Sequence, residues 1–338
     1  MLGWSADACP MLSCRGSWRT TVLWGDGREV ATVLHIITGL GDGGAEAVLG
    51  RLVTCDGTSR HEVVSLTDRG VHGDKLMVAG IPVHTLDMRR GRVTVAGLVK
   101  LFRLLRAVNP DIVQTWMYHA DLIGGLLARL AGRHAVVWGI RNAYPGARGN
   151  TMSTRLVARA CALASHVVPQ RVVSCSTAGA DAHIKYGYRA SRMVVIPNGY
   201  DLATFAPDPA ARRRLRTEFQ ASEGVVLLGM VARWDPHKDH ANLIAALAQL
   251  QAGAPGAWRC VLVGEDITRD NRRLVSMLAR YGVQDRVLLL GPRRDVPGIM
   301  NALDIHLLSS VGEAFPNVVA EAMACYMEIG RASCRERV

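Results

Sequence analysis

Aromatic residues are scarce in this sequence, and long apolar runs are missing. Phe, Trp and Tyr supply 5% of its 338 residues. With no aromatic platform and no recognised binding motif beside the basic residues, nucleic acid is not the expected partner. No stretch reaches the roughly 18 consecutive apolar residues of a membrane-spanning helix. The most apolar runs, 135–140 and 225–231, have the length of strands. The eight cysteines include no C-x-x-C pair. That spacing disfavours structural zinc and suits scattered reduced thiols of a cytosolic protein. No succession of basic, apolar and small residues marks a secretory leader.

What is present is a globular composition, 49% hydrophobic and 20% charged with 34 Gly, long enough for two domains. It excludes disorder, collagen-like repeats and a small disulfide scaffold. The 40 Lys and Arg exceed the 29 Asp and Glu by 11, a field that favours anionic partners.

Short β-branched runs at 30–37, 61–65, 82–86, 112–115 and 135–139 alternate with amphipathic stretches at 45–54, 93–107 and 120–130. Weaker elements follow to 196. This pattern predicts a parallel sheet covered on both faces. Pro197, Gly199, Pro207 and Pro209 then break structure in quick succession, which places a linker over 197–223. Alternation restarts with strands at 225–231, 259–263, 286–290 and 304–308, helices between them and a last helix over 317–324. The expected architecture is α/β, two doubly wound Rossmann-like domains (30–196 and 224–327) facing a cleft. Residues 1–29 show no period and read as a doubtful leader. Residues 328–338 resemble a translated sequencing adapter and are set outside the fold, leaving a second domain that stops early.

Ligands of doubly wound sheets sit beyond the carboxyl ends of the strands, and the candidate residues lie there. After the first strand, Gly39, Gly41 and Gly44 fit G-x-G-x-x-G, the dinucleotide fingerprint, with Asp68 near the place of a ribose-binding acid. The motif equally describes a tight turn that offers helix N–H groups to an anion. In "GMVARWDPHKDH", Arg233 and Lys238 stand five apart on one loop and can clamp a diphosphate from two sides. In "SSVGEAFPNVVAEAMA", Glu313 sits in a loop, Pro316 suits the first turn of a helix, and Glu321 lies on that helix. A carboxylate at Glu321 can accept from both hydroxyls of a ribose, with Glu313 and the backbone of Phe315, Pro316 and Asn317 toward the cleft.

Together, "GLGDGGAE", "VIPNGYDLATFAP", "VARWDPHKD", "GPRRDVPGIMNALDIHLLSS" and "GEAFPNVVAEAMA" resemble the retaining glycosyltransferases of the GT-B fold, specifically glycosyltransferase family 4. The resemblance implies a nucleotide-diphosphate sugar donor, with uridine as the first choice of base. It places Gly43 and Gly44 at the donor phosphates, with Glu46 following as a donor-side or merely helix-starting acid. Arg233 and Lys238 fall on the diphosphate, Glu313 near the transferred sugar, Glu321 on the ribose, and Arg294 and Asp295 in the loop flanking the base. His119, in "TWMYHADLIG", falls where the family often has a His facing the donor sugar.

The family's chemistry is a front-face displacement with retention, in which the leaving phosphate takes the acceptor's proton. That suits a sequence in which no nucleophile and base pair stands out. The absence of a D-x-D motif fits a reaction with neither cofactor nor metal. Arg89, Arg90 and Arg92, with Lys100, Arg103 and Arg106 on the next helix, form a basic surface. It suits either plain solvation or a lipid-linked glycan acceptor at the cytoplasmic face of an acidic membrane. A nucleotide-sugar epimerase of similar architecture and an inactive nucleotide-binding fragment are the alternatives. The family's pattern continues past the second Glu with segments not found here.

Overall fold

A computed structural model describes residues 30–89, 91–142, 152–253, 256–325 and, for the backbone, 328–331. Two parallel sheets organise it. The first has seven strands: β1 (Thr32–Ile37), β2 (Arg60–Ser65), β3 (Val83–Thr85), β4 (Ile112–Trp116), β5 (Val136–Ile140), β6 (Arg171–Ser174) and β7 (Met193–Val195). Their order is β3-β2-β1-β4-β5-β6-β7. The chain leaves β1 in both directions, so the switch point lies between β1 and β4, where a crevice opens at the strand ends.

Burial explains the strand sequences. All six residues of β1, "TVLHII", are buried, because helices cover both sides. On one side α1 (Gly44–Cys55) and α2 (Gly70–Val78) seal a cluster of Ile37, Leu49, Val63 and Trp116. On the other, α3 (Val95–Val108), α4 (Tyr118–Leu130), α5 (Met152–Ala164) and α6 (Thr177–Tyr186) follow the right-handed crossovers. There Leu101, Leu105, Ala128, Ala158 and Cys161 pack on Leu34, Ile36 and Trp138. Helix starts are set locally: the Thr94 side chain accepts from the Gly97 amide, and Ser176 accepts from Gly179.

The second sheet has five strands: β8 (Val226–Val231), β9 (Trp258–Val263), β10 (Val287–Leu289), β11 (Ile305–Leu308) and β12 (Glu328–Arg331), in the order β10-β9-β8-β11-β12. Helices α8 (His240–Gly253) and α9 (Arg272–Arg280) cover one face. On the other lie α7 (Pro209–Glu218), α10 (Val296–Ala302) and α11 (Asn317–Ala324).

Two findings differ from the sequence expectations. Residues 328–331, set outside the fold as adapter-like, form β12, paired parallel to β11 from Ile305 through Leu308. Part of the 197–223 linker is the helix α7, begun by Asp208 as cap and Pro209. Its arginines are structural. Arg216 Nη1 lies 2.8 Å from Asp304 Oδ2, Arg212 also pairs with Asp304, and Asp304 accepts the Leu227 amide at 2.7 Å. Burial pushes the Asp304 carboxyl up, but that amide and the two guanidiniums hold it below its ordinary range. Residues 1–29, Arg90 and 332–338 lie outside the described residues.

Candidate active site

The carboxyl ends of both sheets border one cleft of about 780 Å³. From the first domain come Gly39, Gly41 and Gly43, the acids Asp42, Glu46, Asp68 and Asp87, and Met117. From the second come Arg233, Asp235 and Glu265.

The glycine turn is built as a helix start. Gly43 is the extended N-cap of α1, and its carbonyl accepts from Ala47 at 3.0 Å. A side chain on Gly43 would run into the Glu46 carboxylate, which folds back over the turn from the third helical position. At Gly44 a Cβ would stand 3.1 Å from Asn317 Nδ2. The start of α1 thus abuts the start of α11 across the domain boundary.

The cationic loop is anchored at each of its charges. Asp235 accepts from Arg233 Nη2 at 3.3 Å and from the His237 amide at 2.9 Å. Burial raises the Asp235 carboxyl, but these partners hold it below its ordinary range. Lys238 Nζ donates to Glu313 Oε1 at 2.6 Å, with each side chain about a quarter exposed (25% and 23%). Ser309 Oγ donates to the Lys238 carbonyl at 2.7 Å, and the Val311 amide to the His237 carbonyl at 2.9 Å. The loops after β8 and β11 are therefore tied to one another by hydrogen bonds.

Pro316 stands at the N-cap of α11, one place before the first turn expected for it, and Asn317 opens the helix. Phe315 stacks on Tyr200 with centroids 6.1 Å apart. Glu321 is largely buried, and burial pushes its carboxyl above the usual range while Arg51 of α1 draws it back. His119 is the second residue of α4, two after Met117. Burial lowers the imidazole, so it is neutral near pH 7. Met117 adopts φ +69°, ψ 158°, a region that costs a non-glycine residue roughly 1–3 kcal/mol and concentrates at functional sites.

Arg294 is exposed in the loop after β10. Its neighbour Arg293 is the anchored residue, 2.7 Å from Asp295 and 2.8 Å from Glu218, so Asp295 has a structural partner.

The sequence reading missed a bridge between the domains. Arg141, at the carboxyl end of β5, donates to Asn198 Oδ1. Asn198 Nδ2 donates to Asn317 Oδ1 at 2.9 Å, and Tyr200 Oη to the same oxygen at 3.0 Å. Arg141 also stacks over Trp116, 4.7 Å from the ring. The rule that placed Arg233 after its strand applies equally to Arg141. Asn198 and Tyr200 stand in the "VIPNGYDLATFAP" segment.

Known proteins resemble this chain over most of its length. Residues 42–204 match the model described as Glycosyltransferase Family 4, and 225–329 match Glycosyl transferases group 1. An Escherichia coli protein named UDP-Gal:alpha-D-GlcNAc-diphosphoundecaprenol alpha-1,3-galactosyltransferase is 26% identical over 229 residues, 67% of this chain and 59% of its own length. A putative glycosyltransferase, EpsF of Bacillus subtilis, is 26% identical across 86% of this chain and 76% of its own. D-inositol 3-phosphate glycosyltransferase of Salinispora tropica is 29% identical, the match spanning 34% of its length. The crystal structure of Anabaena Alr3699/HepE in complex with UDP-glucose superposes with a TM-score of 0.76 at 25% identity, covering 89% of this chain and 80% of that one.

Proposed function

Since the chain belongs to the group 1 glycosyltransferases, we propose that it moves a sugar from UDP to a glycan or lipid-linked acceptor, with retention at the anomeric carbon. The observation that carries this reading is that Gly43 of one domain and Arg233 of the other line the same cleft. The Escherichia coli relative's name gives a UDP-sugar donor and a lipid-diphosphate acceptor. The Anabaena structure holds UDP-glucose.

In this reading the two domains divide the work. The backbone amides at Gly43 and Gly44 and the cations Arg233 and Lys238 receive the diphosphate, stabilising the charge that grows on it as the C1–O bond breaks. No metal is required for that step. The acceptor hydroxyl forms its bond to C1 on the same face, and its proton passes to the departing phosphate oxygen. Neutral His119 and Glu313 face the transferred sugar, Glu321 accepts from the ribose hydroxyls, and Phe315 with the Arg294 loop borders the base. Asp42, Asp68 and Asp87 on the first-domain wall, beside Arg89, can accept from hydroxyls. That favours a hydroxyl-rich glycan acceptor there. A lipid-linked acceptor would place this work at the cytoplasmic side of a membrane, in surface polysaccharide or glycolipid assembly.

The test is a panel of labelled nucleotide sugars, scored for transfer or hydrolysis with chelator present, and for product anomer by NMR. Turnover of a UDP-sugar with retention is expected. Arg233→Ala and Lys238→Ala should each lower it by about two orders of magnitude, the scale of losing one preorganised donor. Release of free epimerised sugar without acceptor would favour an epimerase instead.

A further inference from the structure

We infer that His35 is a positioning residue: by a one-way chain of buried hydrogen bonds it orients Trp116, and through Trp116 the Arg141 guanidinium that fastens the two domains. His35 on β1 and Trp116 on β4 are fully buried, where helix-covered parallel strands call for apolar side chains. A polar group there costs stability unless it is paired, and each of these is paired. Trp116 Nε1 donates to His35 Nδ1 at 3.3 Å. His35 Nε2 stands 3.0 Å from His61 Nδ1, and His61 Nε2 stands 3.0 Å from Asp56 Oδ2.

The two ends of this chain fix its direction. An indole N–H only donates, so His35 Nδ1 accepts and the His35 proton sits on Nε2. That proton goes to His61 Nδ1, which leaves the His61 proton on Nε2, facing Asp56. Asp56 is half-buried at the end of α1. Burial pushes its carboxyl up, but the Thr58 hydroxyl at 2.6 Å and the Thr58 amide at 2.8 Å outweigh this and hold it at about 2. An ionised carboxylate only accepts, so one tautomer of each imidazole satisfies every contact. A second proton on either ring would set two donors face to face. Burial and the neighbouring His61 lower His35 to about 3, which keeps its Nδ1 free to accept.

The other end of the chain is the fastening. Arg141 lies over the Trp116 ring, 4.7 Å from its centre. It donates to Asn198, which donates to Asn317 at 2.9 Å. A cation over an aromatic ring is held by the ring's face, so the tilt of the indole sets where the guanidinium sits. Asp121 and Cys175 also lie near that guanidinium, so a freed indole loosens the seat without emptying it. A buried histidine under α1 thereby governs a contact at the start of α11 in the other domain, and the inference stands whether or not the sugar-transfer reading does.

Hydrogen exchange read by mass spectrometry on the full chain tests it. His35→Leu takes away the acceptor of Trp116, whereas His35→Asn keeps one near the Nδ1 position. His35→Leu should speed exchange in segments 198–205 and 317–321 at least about tenfold, the scale of one lost hydrogen bond, as Asn198→Ala should also do. His35→Asn should leave both segments close to wild type. Trp116→Phe, which keeps an aromatic core, should speed the same two segments, so the test does not depend on His35→Leu folding. His35→Leu added to Trp116→Phe should change nothing further there. Nitrogen NMR of labelled histidines near pH 7 should show both rings protonated on Nε2. A proton on Nδ1 of either ring, faster exchange confined to 32–37 and 60–65, or equal effects of His35→Leu and His35→Asn on the two distant segments would overturn the inference.

Discussion

Lys238 and Glu313 hold one another 2.6 Å apart, and Arg233 leans on Asp235. Partly exposed pairs of this kind contribute roughly 0–1 kcal/mol, so a diphosphate carrying two charges can displace either carboxylate. Glu313→Gln should therefore leave UDP affinity within a few-fold of wild type while lowering turnover. Affinity falling in step with turnover would place Glu313 in donor binding instead. Glu321 shows the opposite balance. Burial raises its carboxyl, so the unfolded chain releases this proton at lower pH than the folded one. Stability is then lost as pH rises through the interval between the two values. Glu321→Gln should raise the thermal midpoint at pH 7.5 and lose that gain below about pH 4, where both states are protonated. A lower midpoint at pH 7.5 would show that the charge is a net stabiliser. The types and order of these residues were legible in the sequence. Their pairings were not, because nothing in the spacing tells a cation whether it meets a ligand or a carboxylate across the loop.

At the scale of elements, the strand ends and helix starts set the site. Gly264 directly follows β9 with φ +150°, and a Cβ there would collide with the Ala232 carbonyl and stand 2.7 Å from the Arg233 nitrogen. Gly264→Ala should cost stability and also lower turnover by displacing Arg233; a folded variant with full activity would separate the two. In the first turn of α4, Asp121 is fully buried and accepts from Thr115 Oγ1 at 2.6 Å, and burial pushes its carboxyl up to about 7. Wild-type stability should fall between about pH 4 and 7 as the unfolded chain ionises first, by up to about 4 kcal/mol. Asp121→Asn should flatten that slope in urea titrations. An unchanged slope would mean the carboxyl is ionised in the fold. Strands such as β1 and β8 were legible because both faces are buried and the apolar run is continuous. Helix α5 escaped because it buries small residues, Ala158, Cys161 and Ala162, and shows large ones to solvent. Helix α7 escaped because prolines precede a basic run whose arginines Arg212 and Arg216 are clasped by a distant acid, Asp304.

For the molecule as a whole, two doubly wound sheets were legible from alternation, and the cleft followed from where strands end. The fastening between domains was not. Arg141, Asn198, Tyr200 and Asn317 meet through hydrogen bonds joining residues 57 to 119 positions apart, a relation no local pattern carries. That fastening brings the start of α11 against Gly44, with one cleft lined from both domains. The measurement that tests this most directly is calorimetric titration of the full chain with UDP in chelator, beside the Arg233→Ala/Lys238→Ala variant. Saturable one-site binding, weakened about a hundredfold or more in the variant, is the expected result, two charged hydrogen bonds being worth roughly 1.5–3 kcal/mol each. Equal affinity in both proteins, or no binding by the wild type, would contradict it.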